Sequence, residues 1–157
     1  MLERSLLLKG QVVNIVALHL LARSLLALAA EIRLRDPDTS KDCTQRAARI
    51  ARKIKSEQTT WGDPLSQLIL ASVRAYDGTV EEAVQLLYSA ERGFLAAEMN
   101  QYRAASQWCR GHLMLGPEGV DSVRRAEDWM AHEGVKAPKQ MLRLLAPGNW
   151  EGLLAEY

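Results

Sequence analysis

Aromatic side chains are scarce in this sequence. They make up 6% of the 157 residues and include a single phenylalanine, whereas leucine and alanine are abundant. Because leucine and alanine are good helix formers, and aromatic and β-branched residues favour strands, the composition predicts an all-α protein. A chain of this length buries about 70% of the surface that its unfolded form exposes. We therefore expect one domain, residues 1–157, that folds without a disulfide or a metal.

Cysteine is almost absent, and neither sign of charge is in excess. Cys43 and Cys109 are the two cysteines, and the 20 basic and 19 acidic side chains leave a net charge of +1. Both cysteines fall in helix-like stretches far apart in the sequence, which predicts free thiols in a reducing compartment. The expected location is the cytoplasm.

No long apolar run is free of charge. Lys9, Arg23 and Glu31 interrupt the apolar segment 6–30, and its longest uncharged piece, residues 10–22, is shorter than the roughly 20 residues of a spanning helix. The segment therefore predicts a long helix with two buried faces, and no membrane contact. Because the stretch from Leu6 to Leu28 is more apolar than two neighbouring helices require, we also expect a homodimer through this helix.

The motifs of catalysis and metal binding are missing. There is no Gly-rich phosphate loop with its lysine, and no two of the three histidines lie four residues apart. An acidic cluster resembles a calcium loop, but Lys41 stands in place of its glycine and Ala47 in place of its glutamate. The cluster is better explained by helix capping at Asp38, Thr39 or Ser40. The sequence predicts neither enzyme activity, nor a cofactor, nor a metal.

Proline and glycine divide the chain into seven helices. All five prolines fall where a helix begins or ends, as expected from the cost of proline within a helix. The sequence Thr79-Val80-Glu81-Glu82 has the pattern of a capping box, in which the hydroxyl and the carboxylate each accept a free backbone N–H. The predicted helices cover about residues 2–35, 40–56, 64–76, 80–98, 100–116, 118–133 and 138–145.

Helix starts recur every 36 to 39 residues. Such a period is typical of stacked helical hairpins, because one amphipathic hairpin cannot cover its own apolar face and shares it with its neighbours. The period predicts a right-handed stack of about three hairpins with a short C-terminal capping helix. The hairpins would cover about residues 2–56, 64–98 and 100–133, and the cap residues 138–146.

The middle hairpin resembles a tetratricopeptide repeat. The residues that stand at the spacings of that motif are Leu70, Ala71, Gly78, Ala83, Leu87 and Ala90. The resemblance implies a solenoid whose ligands lie against the first helix of each hairpin. It places Leu65, Leu68, Ser72, Tyr76, Tyr102, Ser106 and Arg110 on the partner-binding surface. Trp61 is added because it lies in a connection, where an amphipathic ring can either seal the edge of a repeat or bind a partner.

The whole chain also resembles the C-terminal helical region of large bacterial signalling proteins. Glu91 and Phe94 are echoed by Glu127 and Met130, and the sequence closes on Met-Leu-Arg-Leu-Leu-Ala-Pro-Gly at residues 141–148. In that family a serine/threonine kinase domain or a regulatory ATPase domain precedes a helical-repeat region. The resemblance implies that any kinase or ATPase activity belongs to domains outside this chain.

The expected function is a non-enzymatic protein–protein interaction or regulatory module. Its partner would be a protein or peptide, or another domain of the same longer chain, held in a groove or at an edge. One alternative is a ligand-sensing domain with a small molecule between hairpins. Another is nucleic-acid contact through the basic second helix, but that helix lacks interleaved aromatics, so nucleic acid is not favoured. The basic residues are Arg46, Arg49, Arg52, Lys53 and Lys55.

Overall fold

A computed structural model describes residues 2–150, with side chains from Lys9 onward. Residue 1 and residues 151–157, which the predicted domain includes, lie outside the described residues. So do the side chains of residues 2–8, where the predicted apolar run begins. Residues 2–150 contain no strand, which confirms the all-α prediction. The helices are α1 (Leu2–Ile32), α2 (Pro37–Ser56), α3 (Gly62–Tyr76), α4 (Val80–Ala96), α5 (Asn100–Leu113), α6 (Pro117–His132) and α7 (Pro138–Leu145).

The second helix begins earlier than the sequence suggested, at Pro37. Its N-cap is Asp36, whose carboxylate accepts the Thr39 backbone N–H at 3.0 Å. Hydrogen bonding to Thr39 lowers the pKa of Asp36. The predicted caps Asp38, Thr39 and Ser40 were therefore wrong, because a proline at the first helical position already has the required φ and the residue before it takes the cap. The hydroxyl of Ser40 is buried and donates to the Ala29 carbonyl at 2.7 Å.

The fourth helix begins at Val80 as predicted, but without the capping box. The Thr79 side chain makes no cap hydrogen bond. Its hydroxyl donates instead to the Arg74 carbonyl at 3.0 Å, and the Glu82 carboxylate pairs with Nε of Arg74 at 2.8 Å. Thr79 and Glu82 therefore both bind Arg74 at the end of α3. The capping-box pattern considers only the first turn of α4 and does not include this arginine.

Consecutive helices are in contact along the chain. The most extensive contacts join α1 to α2, α3 to α4 and α5 to α6, while α7 packs on α5 and α6. Serine hydroxyls also hydrogen-bond between consecutive helices, from Ser66 of α3 to the Ala51 carbonyl of α2 at 2.8 Å and from Ser122 of α6 to the Gln107 carbonyl of α5 at 3.0 Å. The largest side chains of the core are Trp108, Trp150, Phe94, Ile15, Ile54 and Ile69.

The contact between α5 and α6 depends on glycine. A Cβ atom at Gly111 would lie 2.7 Å from the Gly119 carbonyl oxygen and 2.9 Å from the Val123 backbone nitrogen. Both are backbone atoms, so neither can rotate away. The two helices can come this close only because position 111 has no side chain.

Replacing Gly111 with alanine is expected to lower the free energy of unfolding by roughly 1–3 kcal/mol, the usual cost of overpacking. Alanine has the higher helix propensity, but the added methyl group pushes α5 away from α6. Urea denaturation measures the change. Gly10→Ala is the matched control, because a Cβ there meets nothing within 4 Å and should raise the stability by up to about 1 kcal/mol. Equal stability of the two variants would contradict the close approach.

Candidate partner-binding surfaces

Most of the predicted partner-binding residues are inside the protein. Leu65, Leu68, Ser72 and Ser106 are 4% exposed or less. The hydroxyls of the two serines donate to carbonyls of their own helices, at Leu68 and Tyr102. In this conformation these four side chains offer a partner no surface.

The first helix accounts for part of this burial. Ile15, His19 and Arg23 lie four residues apart on one face of α1, and each meets a different later helix. A Cβ atom added at Gly62 in α3 would lie 3.6 Å from Cδ1 of Ile15. The ring of His19 is 5.4 Å from that of Tyr102 in α5, and Arg23 donates to the Leu144 carbonyl in α7. The chain's own first helix thus lies against the helices that were expected to receive a partner.

The predicted aromatic contacts are half-buried and already have neighbours. The hydroxyl of Tyr76 donates to Ser40 at 2.8 Å, and the Arg33 guanidinium lies 5.1 Å from its ring centre. Tyr102 stacks on Phe94 with a ring distance of 5.4 Å. Trp61 packs against the edge of the core. These rings stabilise helix contacts within the chain.

Arg110 is the last of the eight predicted contact residues. Its side chain points towards α4. Its Nε donates to Oε1 of Glu91 at 2.6 Å and its Nη2 to Oε2 at 3.3 Å, while its guanidinium carbon lies 4.3 Å from the centre of the Tyr88 ring. The arginine and glutamate side chains are 11% and 12% exposed. A two-point ion pair of this kind is strong and geometrically specific, and here it joins α5 to α4.

Two further groups that could carry chemistry are buried. Desolvation lowers the pKa of His19 from 6.5 to about 4, with a further contribution from the charge of Arg23. Its Nε2 has no hydrogen-bond partner. Burial raises the pKa of the Cys109 thiol. The folded chain therefore holds a neutral imidazole that is buried away from solvent, and a thiol that stays protonated at pH 7 and so is not in its nucleophilic form. No cluster of metal-ligating side chains occurs in the part of the chain that the structure describes.

One face of α1 remains outside the core. Six large apolar side chains on it are 43% to 68% exposed: Val12, Val13, Val16, Leu20, Leu21 and Leu28. We call these six residues the outer face of α1. The prediction of two buried faces was wrong for this part of the helix, because the later helices meet only the side that carries Ile15, His19 and Arg23. Contiguous apolar surface of this kind is common at sites that contact other proteins or membranes.

A groove borders the outer face. It has a volume of about 240 Å³ and lies between α1 and the segment that includes α7. Its lining residues are Leu20, Arg23, Ser24, Ala27, Arg143, Leu144 and Pro147. By length and composition alone, Lys9–Ile32 could also cross a membrane, and 33% of an apolar 18-residue stretch within it is buried inside the structure.

Some of the basic side chains of α2 line a separate groove. It has a volume of about 350 Å³ and brings Lys41, Arg49 and Arg52 of α2 near Arg74 of α3. Asp77 lines the same groove, and Asp42 pairs with Arg46 at 3.8 Å. Acidic side chains therefore interrupt the positive surface that nucleic acid would need.

Comparison with known protein families, with curated proteins and with solved structures finds no match for this chain. The resemblances to tetratricopeptide repeats and to bacterial signalling proteins therefore stay predictions. What the structure defines is an all-α protein whose first helix carries an exposed apolar face.

Proposed function

We propose that this chain is a protein–protein interaction module, and that its binding surface is the outer face of α1. The observation that carries the proposal is the exposure of six large apolar side chains along one helix, next to a groove. Apolar surface at the centre with polar residues around it is the usual composition of a protein interface. The repeat resemblance implied a different binding surface, along the first helix of each hairpin. That surface is not available to a partner, because most of its residues are buried.

The other helices would then act as a scaffold that holds α1. Five of the six residues at repeat positions are apolar, and four of these, Ala71, Ala83, Leu87 and Ala90, are fully buried. Gly78, the sixth, has a φ of 79° at the turn between α3 and α4. These features support a stack of hairpins, in which small side chains let neighbouring helices approach closely. In a longer signalling protein, such a scaffold would present the outer face of α1 to another domain or to a separate chain.

Site-specific photocrosslinking tests the proposal. We expect a benzoylphenylalanine at Val16 to give a covalent protein adduct in the cells that make this chain, because Val16 would lie within the interface. A benzoylphenylalanine at Val120 is the matched control, since that valine is also exposed but lies on α6. If Val16 gives no adduct, or no more than Val120 gives, the outer face of α1 is not a binding surface. The mass of the adduct identifies the partner.

A further inference from the structure

Seven exposed residues form a straight stripe along the outer side of α1. They are Lys9, Val13, Val16, Leu20, Ser24, Ala27 and Glu31. Because an α-helix turns about 100° per residue, all seven lie within about 40° of the direction of Leu20. The stripe has a positive charge at one end, a negative charge at the other, and uncharged side chains between them.

The stripe is arranged symmetrically about Leu20. Val16 and Ser24 lie four residues from it, Val13 and Ala27 seven, and the two charged residues eleven. In an antiparallel pair of such helices that cross at Leu20, each residue would face its counterpart at equal distance on the other side. Lys9 of each copy would face Glu31 of the second copy, and each valine would face a small side chain.

We propose that the stripe binds a second copy of this chain in an antiparallel orientation, with Leu20 on the two-fold axis. The inference rests on the proposed function, since it names the partner of the part of the outer face that carries Val13, Val16 and Leu20. A two-fold interface requires a patch that is complementary to itself, and this stripe fulfils that condition in both charge and size. A parallel pair would instead bring lysine against lysine and glutamate against glutamate.

The dimensions of the stripe fit a helix pair. From Lys9 to Glu31 it spans 23 residues, about 33 Å at 1.5 Å per residue, or roughly three heptads. Ser24 and Ala27 also line the groove beside Leu144, so Val13 and Val16 of the second copy would enter that groove. Packing of large side chains onto small ones permits the interaxial distance of about 8–10 Å that packed helices adopt.

A membrane explains the same surface less well. The opposite side of α1 is buried in the core through Ile15, Ala22, Leu25, Leu26 and Ala29, which are 6% exposed or less. A spanning helix would have to release that side. A helix lying on the membrane surface usually carries basic residues along its flanks, whereas this stripe ends on Glu31, which pairs with Arg35 at 3.6 Å.

Analytical ultracentrifugation of the full chain provides the first test. We expect a concentration-dependent species of twice the 17.5 kDa monomer mass. Lys9→Glu should weaken dimerisation about tenfold, because it converts two attractive pairs into two repulsive ones. Glu31→Lys should do the same, and the double variant Lys9→Glu/Glu31→Lys should restore the original dimer. Lys41→Glu, an exposed charge reversal on α2, is the control and should have no effect.

Disulfide crosslinking with copper-phenanthroline tests the register. Leu20→Cys should crosslink to itself, because position 20 would lie on the two-fold axis. Val13→Cys alone should not, but its mixture with Ala27→Cys should give a heterodimeric crosslink. The two native cysteines are buried and should not compete. Self-crosslinking of Val13→Cys, or failure of the charge swap to restore the dimer, would overturn the antiparallel arrangement.

Failure of this inference can be told apart from failure of the proposed function. A chain that stays monomeric, while benzoylphenylalanine at Val16 captures a different protein, overturns the dimer and leaves the interaction module in place. Cosedimentation of a monomeric chain with phosphatidylcholine vesicles, abolished by Leu20→Lys, would overturn the dimer in favour of a membrane surface. Capture of a second copy at Val16, together with the restoring charge swap, supports both proposals.

Discussion

Replacing Arg110 with methionine is expected to lower the free energy of unfolding by roughly 3–5 kcal/mol, which is the cost of breaking a buried ion pair by removing one partner. Glu91 would be left with its charge in a nearly buried position between α4 and α5. The contact between the guanidinium and the Tyr88 ring would be lost as well. Urea denaturation of the variant and the parent chain measures the difference.

Two controls separate the buried pair from a general effect of removing an arginine. Arg124→Met removes an exposed pair with Asp121 and should change the stability by less than about 1 kcal/mol. The double variant Glu91→Gln/Arg110→Met should recover much of the loss, because no uncompensated charge remains. If Arg110→Met and Arg124→Met are equally mild, the Arg110 pair does not hold α5 against α4.

Acidification from pH 7 to pH 4 is expected to remove about 3 kcal/mol of stability through His19 alone. The unfolded chain binds a proton at this side chain near pH 6.5, whereas the folded chain binds it only near pH 4, because burial disfavours the imidazolium. Between these two pH values the unfolded state carries more protons, so the stability falls as the pH falls, by about 1.4 kcal/mol per unit of pKa difference. Below about pH 4 the folded chain binds the proton as well, so the loss of stability through His19 stops growing.

Urea titrations at a series of pH values test this prediction. His19→Met should flatten the pH dependence between pH 6.5 and pH 4, whatever it does to the stability at pH 7. His132→Met is the matched control, because that histidine is exposed at the end of α6, and it should retain the full dependence. The prediction is contradicted if the His19 variant loses stability with acid as steeply as the parent chain.

Local chemistry determined where the helices lie. Pro37, Pro117 and Pro138 stand at the first helical position of α2, α6 and α7, and Val80 begins α4 as predicted. These boundaries depend on φ preferences and on hydrogen bonds between near neighbours in the sequence. The exact caps were harder to predict. Thr79 and Glu82 could bind the backbone of their own helix, but they bind Arg74 of α3.

Only part of the candidate site could be predicted from the sequence. The apolar character of α1, and with it the expectation of an interface there, followed from the sequence alone. The choice of Leu65, Leu68, Ser72 and Ser106 as contact residues did not agree with their burial. Periodicity shows which residues share a face of a helix, but it does not show which other helix covers that face.

The sequence by itself determined the number of helices in residues 2–150, their bounds to within about three residues and the composition of each face, because helix formation depends on residues within a few positions of one another. The tertiary structure decided which face of α1 is covered and which is left exposed. That outcome depends on the extensive contact of α1 with α2 and on further contacts with α3, α5 and α7, whose residues are far from it in the sequence. Long-range packing of this kind buries Ile15 and His19 and leaves Val13 and Leu20 at the surface.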